Sequence, residues 1–411
     1  MTHAVYDELL VLPSLKAHRN QNGALMLTQK FLNGVGKLAE GWPGPVTALV
    51  YISELPSSDM DHVVVPPNST NLRVEIRPTS KLDFRNRIRD AAAALVFLSP
   101  FERTTSTLCV ELGIPLVFWS EFSPKTEGQI VDAETSNPII RLRRRLWIHQ
   151  AERKRRRMLQ FAAGIQCSGL PAYNAYCQFS SNAILFFDNR VPEDDVLNDS
   201  GIDAKVNTVV QPGPLRLVFG GRLVPMKGVM HLAIVADRLH QMGVDFHFDI
   251  YGDGVLKKEL AQDIIGRGLQ HCVTLKGVLD FRTQWIPMLK SGADLFVCCH
   301  PQGDPSSTYP EVMSCGVPIA GYGNEALVGI VQHSGCGWLT PINDPEALAR
   351  TIARLAHDRR EIAKSSRLAR DFALAHCFER TFAARADHLV ALSRLPESLK
   401  NKVKPRSRTG Q

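Results

Sequence analysis

Short apolar runs recur along the chain, separated by longer stretches whose apolar residues return at helical spacing. In the first half the runs lie at residues 8–13, 46–52, 62–65, 72–76, 94–99, 115–119, 164–167 and 183–187. Helical patterns fill the gaps at 24–39, 84–92, 104–112 and, as a long basic stretch, 139–163. From residue 191 to 213 the chain turns acidic and polar and carries Pro and Gly, as a linker would. A second set of runs follows at 215–220, 245–251, 273–277, 294–299, 318–321 and 337–340, again with helical stretches between. Residues 358–393 have the pattern of two closing helices.

Strands alternating with helices predict parallel sheets covered on both faces. The expected fold class is therefore α/β, with two Rossmann-like doubly wound domains facing a central cleft. The expected divisions are 1–205, 206–375, a closing helix over 376–398 that returns to the first domain, and a basic disordered tail over 399–411.

Composition narrows the class. The chain has 411 residues, 44% apolar and 22% charged, as in globular proteins of two domains. Its longest apolar run, residues 91–98, is far short of a membrane span. The first residues lack the basic start and apolar block of a signal peptide, so a cytoplasmic location is expected. Nine cysteines include no Cys-x-x-Cys pair and no zinc spacing, which favours reduced, buried thiols and no metal site. The net charge of +7 is local. Arg141 to Arg157 holds nine Lys/Arg against Glu152 alone, and the last twelve residues add five more cations.

Candidate chemistry gathers at strand ends in the second half. The run 215–220 leads into Gly220-Gly221-Arg222-Leu223-Val224-Pro225-Met226-Lys227-Gly228. The glycines let a ligand approach the backbone. Arg222 can grip phosphate oxygens in a fork, and Lys227 adds a point charge. A turn with two solvated cations fits that stretch equally well. It is neither Gly-x-Gly-x-x-Gly nor a Walker loop, which disfavours dinucleotide and P-loop readings. A second glycine turn, Tyr251-Gly252-Asp253-Gly254, either lines the same cleft or is a plain strand-to-helix turn. Past residue 299, Asp304 and Glu311 flank Pro305-Ser306-Ser307-Thr308-Tyr309-Pro310. Ser307 or Thr308 can cap the helix that follows, and Pro310 suits its first turn.

In combination these motifs resemble the C-terminal domain of retaining family 4 glycosyltransferases (glycosyl transferases group 1), which have the GT-B fold. The resemblance covers about residues 215–355. It implies a nucleotide-diphosphate sugar as donor, a saccharide or lipid-linked acceptor, and no metal or other cofactor. Arg222 and Lys227 match the cations that hold the donor diphosphate, beside Gly221. Glu311 matches the second acid of the family's Glu-x7-Glu pair, on the nucleotide ribose, and the amides of Thr308 and Tyr309 face the phosphates. Gly303 stands where the first acid belongs. Asp304, one place later and one methylene shorter, is its candidate replacement as a catalytic group beside Arg222 and Lys227.

The first domain is then the acceptor's. Asn22 and Gly23, in Asn20-Gln21-Asn22-Gly23-Ala24, are expected between a strand and a helix with their amides toward the cleft; a capping turn explains them nearly as well. Glu121, at a strand end, is a candidate for positioning the acceptor hydroxyl, with an ordinary strand-end carboxylate as the plainer reading. Asp188-Asn189-Arg190 is a weaker candidate, which a hinge contact also explains. The stretch Arg141 to Arg157 fits an anionic membrane surface, ahead of a solvated helix. Nucleic acid is disfavoured, since no aromatic interleaving accompanies the charge. A non-catalytic nucleotide-sugar-binding subunit and an epimerase or phosphorylase on a similar scaffold are the alternatives to transfer.

Overall fold

A computed structural model describes residues 8–56, 61–66 and 71–395. The predicted tail 399–411 lies outside the described residues. Two lobes follow the alternation of the sequence. The first holds a ten-stranded sheet: β1 (Glu8–Leu12), β2 (Lys16–Arg19), β3 (Leu25–Thr28), β4 (Val46–Ile52), β5 (His62–Val64), β6 (Leu72–Ile76), β7 (Ala91–Phe97), β8 (Leu116–Ser120), β9 (Gly164–Ser168) and β10 (Ala183–Phe186). Seven of these run parallel in the order β6-β4-β1-β7-β8-β9-β10. The apolar residues of the central strands β1, β7, β8 and β9 are nearly all buried, on both faces, as a sheet sandwiched by helices requires.

The expected helix over 24–39 starts later. Residues 25–28 form β3, which pairs antiparallel with β2 and β5, and the helix is Gln29–Gly41. Local chemistry explains the difference. The Asn20 side chain accepts from the amides of Asn22 and Ala24, and Gly23 takes φ +77°, so the segment closes a hairpin. Leu27 then joins Ala17, Leu32, Ala48 and Val50 in a small core. Thr28 caps the helix by accepting from the Phe31 amide. Asn22 and Gly23 therefore sit exposed at a hairpin tip, not at a strand-to-helix junction facing the cleft.

The second lobe holds six strands, β11 (Leu215–Gly220), β12 (Phe246–Tyr251), β13 (Val273–Gly277), β14 (Leu295–Cys298), β15 (Ile319–Tyr322) and β16 (Trp338–Thr340). They are all parallel, in the order β13-β12-β11-β14-β15-β16. The strand order reverses between β11 and β14, the place where such sheets bind ligands beyond their carboxyl ends. The nine cysteines are free thiols, all buried but Cys177, which is half-buried.

The chain crosses between lobes twice. The expected linker, 191–213, contains the helix Asp199–Val209, capped by Asn198 and packed on the helix Arg359–Ala375 of the second lobe. The crossing thus falls near residues 188–196, earlier than 205. The return is the helix Phe378–Ser393, whose Phe382, Ala386, Leu389 and Leu392 enter the first lobe's core. It lies so close to the helix Gln29–Gly41 that a Cβ on Gly34 would stand 2.9 Å from the Phe382 ring. The two crossings are tied by the Phe378 amide donating to the Val191 carbonyl.

Candidate functional site

The carboxyl ends of β11 and β14 build one cradle. Past β11, Gly221 leads to exposed Arg222, and Pro225–Lys227 forms a single tight turn. Gly228 ends that turn at φ +61°, and a Cβ there would meet the Cys299 carbonyl oxygen at 2.0 Å. Only glycine permits this approach, which brings Lys227 onto the loop after β14. The second glycine turn lies directly against the first, since a Cβ on Gly252 would stand 1.9 Å from the Gly221 oxygen.

Lys227 Nζ donates to Asp304 Oδ2 at 2.7 Å, with both side chains largely buried. Burial works against the Asp304 carboxylate. Lys227, backed by Lys30 and Arg222, outweighs it and holds the pKa below the ordinary aspartate value. The Gln302 side chain fixes the loop, its Nε2 donating to the Met226 carbonyl. Gly303 is buried against the first lobe: its amide donates to Gln129 Oε1 at 3.0 Å, and its carbonyl accepts from Thr126 Oγ1 at 3.3 Å. A Cβ there would lie 3.3 Å from Thr126 Oγ1 and from Glu325 Cβ. The helix Pro124–Glu134 thus fills the space that a longer side chain at 303 needs.

The next helix is Thr308–Ser314. The Tyr309 amide donates to the Ser306 carbonyl at 3.1 Å, which removes it from the pair expected to face phosphate; among the described residues Thr308's amide has no bonded partner. The Tyr309 side chain is buried, its hydroxyl accepting from Asn324 Nδ2 at 3.3 Å beside His300. Glu311 is 2% exposed, and its carboxylate accepts from Arg190 Nε at 2.6 Å. Arg190 also lies 4.0 Å over the Phe281 ring. Burial opposes the Arg190 charge and Glu311 outweighs it, so the Arg190 pKa rises. Arg190 stands at the interlobe crossing and is the partner that the order of residues alone does not announce, 121 positions from Glu311.

A cavity of about 740 Å³ lies between the lobes. It is walled by strand ends of the first lobe, the helices Gln29–Gly41 and Phe378–Ser393, and residues 280–282 of the second lobe. Glu121 lines it, as do Lys30, Asp188 and Arg385. Arg222, Lys227 and Asp304 stand outside it, and between Gly169 and the loop 305–310 only a crevice of about 10 Å³ remains. Lys30 Nζ pairs with Asp188 Oδ2 at 2.6 Å. Burial raises the Glu121 pKa, Lys30 partly offsets it, and Asp188 and Asp304 raise it further. Glu121 and Lys30 are open to the cavity while protein surrounds them, so the cavity is a recess and its charges are only partly screened. Lys30 also acts on Asp304, so the two clusters adjoin across the cleft. Lys30 and Arg385 gave no sequence signal: one follows a strand that the pattern concealed, the other comes from the returning helix. Asn22 and Gly23 do not line this cavity.

Residues 203–371 match the glycosyl transferases group 1 family. That stretch contains β11 to β16 and every residue of the cradle except Arg190. The chain is 31% identical over 157 residues to the amylovoran biosynthesis glycosyltransferase AmsK of Erwinia amylovora, covering 36% of this chain and 38% of that one. It is 29% identical over 184 residues to WcaL of Salmonella typhimurium, a colanic acid biosynthesis protein, covering 41% and 45%. These matches thus span less than half of the relatives' lengths. The whole fold resembles that of Anabaena HepE in complex with UDP and glucose, with a TM-score of 0.61 at 16% identity, over 95% of this chain and 100% of the other. The architecture is therefore GT-B.

The helix Pro138–Leu159 divides the basic stretch in two. Its second half turns Ile148, Ala151, Met158 and Leu159 into the lobe, and Arg155 is buried with Glu127 at 2.6 Å. Arg156 is held by Glu152, and Arg141 donates to the Thr135 carbonyl. The positive charge is thus less free than five consecutive cations imply. The first half leaves Ile139, Leu142, Leu146 and Trp147 exposed, with Trp147 against exposed Phe101. Among the described residues no helix is long and apolar enough to cross a membrane, and no cluster of three metal-ligating side chains occurs.

Proposed function

We propose that this protein is a retaining glycosyltransferase that moves a sugar from a nucleotide-diphosphate sugar to a saccharide or lipid-linked acceptor in polysaccharide or glycolipid assembly. The observation that carries this reading is the buried Lys227–Asp304 pair beside Arg222, on the loops past β11 and β14 in the stretch that matches the group 1 family. Breaking the anomeric C–O bond builds positive charge on the sugar and negative charge on the leaving diphosphate. Arg222 and Lys227 stabilise that anion where it forms, and fixed cations in a recess do so most strongly. Glu311 receives ribose hydroxyls, and Asp304, released from Lys227 by the phosphates, turns to the transferred sugar. No metal is required in this scheme. Donor entry parts the lobes at the crevice beside Gly169, and closure excludes water.

Thermal unfolding with UDP, GDP and ADP tests the donor side: a nucleotide at a hundred times its dissociation constant stabilises by roughly 2.7 kcal/mol. UDP comes first because HepE holds it. The reading fails if no nucleotide stabilises the protein. A non-catalytic nucleotide-sugar-binding role is the second reading, favoured by Gly303 in the place of an acid. Loss of measured turnover in Asp304→Ala and Glu311→Ala decides for the enzyme.

The protein acts at the inner face of a membrane, docked by the helix Pro138–Leu159. Ile139, Leu142, Leu146, Trp147 and Phe101 enter the interface, and the exposed cations Arg143, Arg153, Lys154 and Arg157 meet anionic headgroups, each contributing about 1 kcal/mol. Sedimentation with vesicles containing phosphatidylglycerol at physiological salt should succeed for the native chain and fail for Trp147→Ala/Phe101→Ala. Equal binding to neutral vesicles, or none, sinks the docking.

A further inference from the structure

Arg385 is 7% exposed and belongs to the helix that returns from the second lobe. Its guanidinium lies 4.3 Å from the Phe186 ring and 4.9 Å from the Phe382 ring, held between them. Its Nε donates to Gln166 Oε1 at 2.9 Å, and Gln166 Nε2 donates back to the Arg385 carbonyl at 2.9 Å. The group lines the interlobe cavity and faces Asp188 and Glu121. Burial drives its pKa down to about 10, with the two acids acting against the fall. A Met or Leu would fill the slot between two Phe rings without desolvating a charge, so packing alone does not account for an arginine here.

Glu121 completes the arrangement. Among the described residues no donor is bonded to its carboxylate, whereas Asp188 is taken by Lys30. The four groups carry two positive and two negative charges. The lining as a whole holds four cations and six acids, so a carboxylate or phosphate entering the cavity meets more repulsion than attraction. A hydroxyl meets neither: it donates to Glu121 and accepts from Arg385. The walls add Phe31, Phe281 and the edge-to-face pair Phe97–Trp119, with centroids 5.6 Å apart, as faces for the C–H side of a sugar ring. The volume suits a small saccharide.

We propose that this cavity binds the acceptor as an uncharged saccharide, and that Arg385 and Glu121 are the residues that hold its hydroxyls. The proposal rests on the glycosyl-transfer reading and adds the acceptor's class and the returning helix's part in binding it. That helix is then more than a clasp: it delivers to the first lobe a side chain that the first lobe's own sequence lacks.

The experiment is saturation-transfer NMR on the full chain with saturating UDP. The probes are the methyl glycosides of glucose, galactose and mannose, with glucuronate as the charged control. At least one neutral glycoside should bind, and glucuronate should bind at least tenfold more weakly. Arg385→Gln and Glu121→Gln should each weaken the neutral probe about tenfold, with Arg385→Lys between, while UDP-induced thermal stabilisation stays at the native value. Unchanged binding in both variants, preference for glucuronate, or no binding by any probe overturns the proposal. A native protein that UDP, GDP and ADP all fail to stabilise overturns the transfer reading instead, whatever the glycosides do.

Discussion

Around the ends of β11 and β14 the buried carboxylates are matched with cations: Asp304 takes Lys227 at 2.7 Å, and Glu311 takes Arg190 at 2.6 Å. Across the cleft Asp188 has Lys30, but Glu121 opens onto a 740 Å³ cavity with no bonded donor among the described residues. The contrast matches the two ligands of the proposed transfer. A diphosphate arrives with its own charge and can exchange for Asp304 on Lys227, so the cation is never left bare. An acceptor brings hydroxyls, which need groups with hydrogen-bonding capacity to spare. One half of the cleft is thus arranged for exchange and the other for addition.

The severest way to break this contrast is Lys227→Ala, which removes the exchangeable cation and leaves Asp304 alone in a buried loop. Transfer should fall on the order of 10²–10³-fold, with nucleotide-induced stabilisation lost. Transfer kinetics at native rates would make the pair a structural feature only. Next comes the second pair. Glu311→Ala should cost about 2–4 kcal/mol in urea unfolding, below the full figure for a buried pair because Arg190 is a third exposed. In Arg190→Met/Glu311→Ala much of that should return, since no charge is stranded. Strict additivity in the cycle would deny the coupling.

Gly303→Glu sharpens the comparison by restoring an acid on the donor side. The new side chain meets Thr126 and Glu325, so it should destabilise by about 1–3 kcal/mol and raise the radius of gyration in small-angle scattering as the lobes part. The smallest effect belongs to Glu121. Its folded pKa is raised, so the folded state holds a proton that the unfolded state has released, and this group's contribution to stability falls as pH rises through and above the ordinary glutamate value. Glu121→Gln should therefore melt slightly higher than the native chain at pH 7 and match it near pH 4. A Glu121→Gln advantage that shrinks rather than grows from pH 4 to pH 7 reverses the sign and removes the argument.

The second lobe was the easier to read. Its central strands β11, β14 and β15 are short runs buried on both faces, and the predicted 215–220 and 273–277 are β11 and β13 to the residue. The cradle was legible because its cations and acids lie close to glycine turns at strand ends. In the first lobe β3 reads as the start of a helix, since Leu25–Thr28 is a short apolar run next to a true helix, and only pairing with β2 and β5 decides between the two. The cavity cluster had two visible members, Glu121 and the weaker candidate Asp188; Lys30 and Arg385 come from two helices far apart in the chain.

By itself the sequence determined the parallel α/β lobes and the residues offered at the β11 and β14 ends, because burial periodicity and glycine turns act over a few residues and leave a local imprint. Tertiary structure alone decided which charges meet: Lys227 with Asp304, Glu311 with Arg190, Arg385 with the first lobe's cavity. Ion pairing acts through space within a few ångströms, and partners 77, 121 and more residues apart leave no periodicity from which to read them.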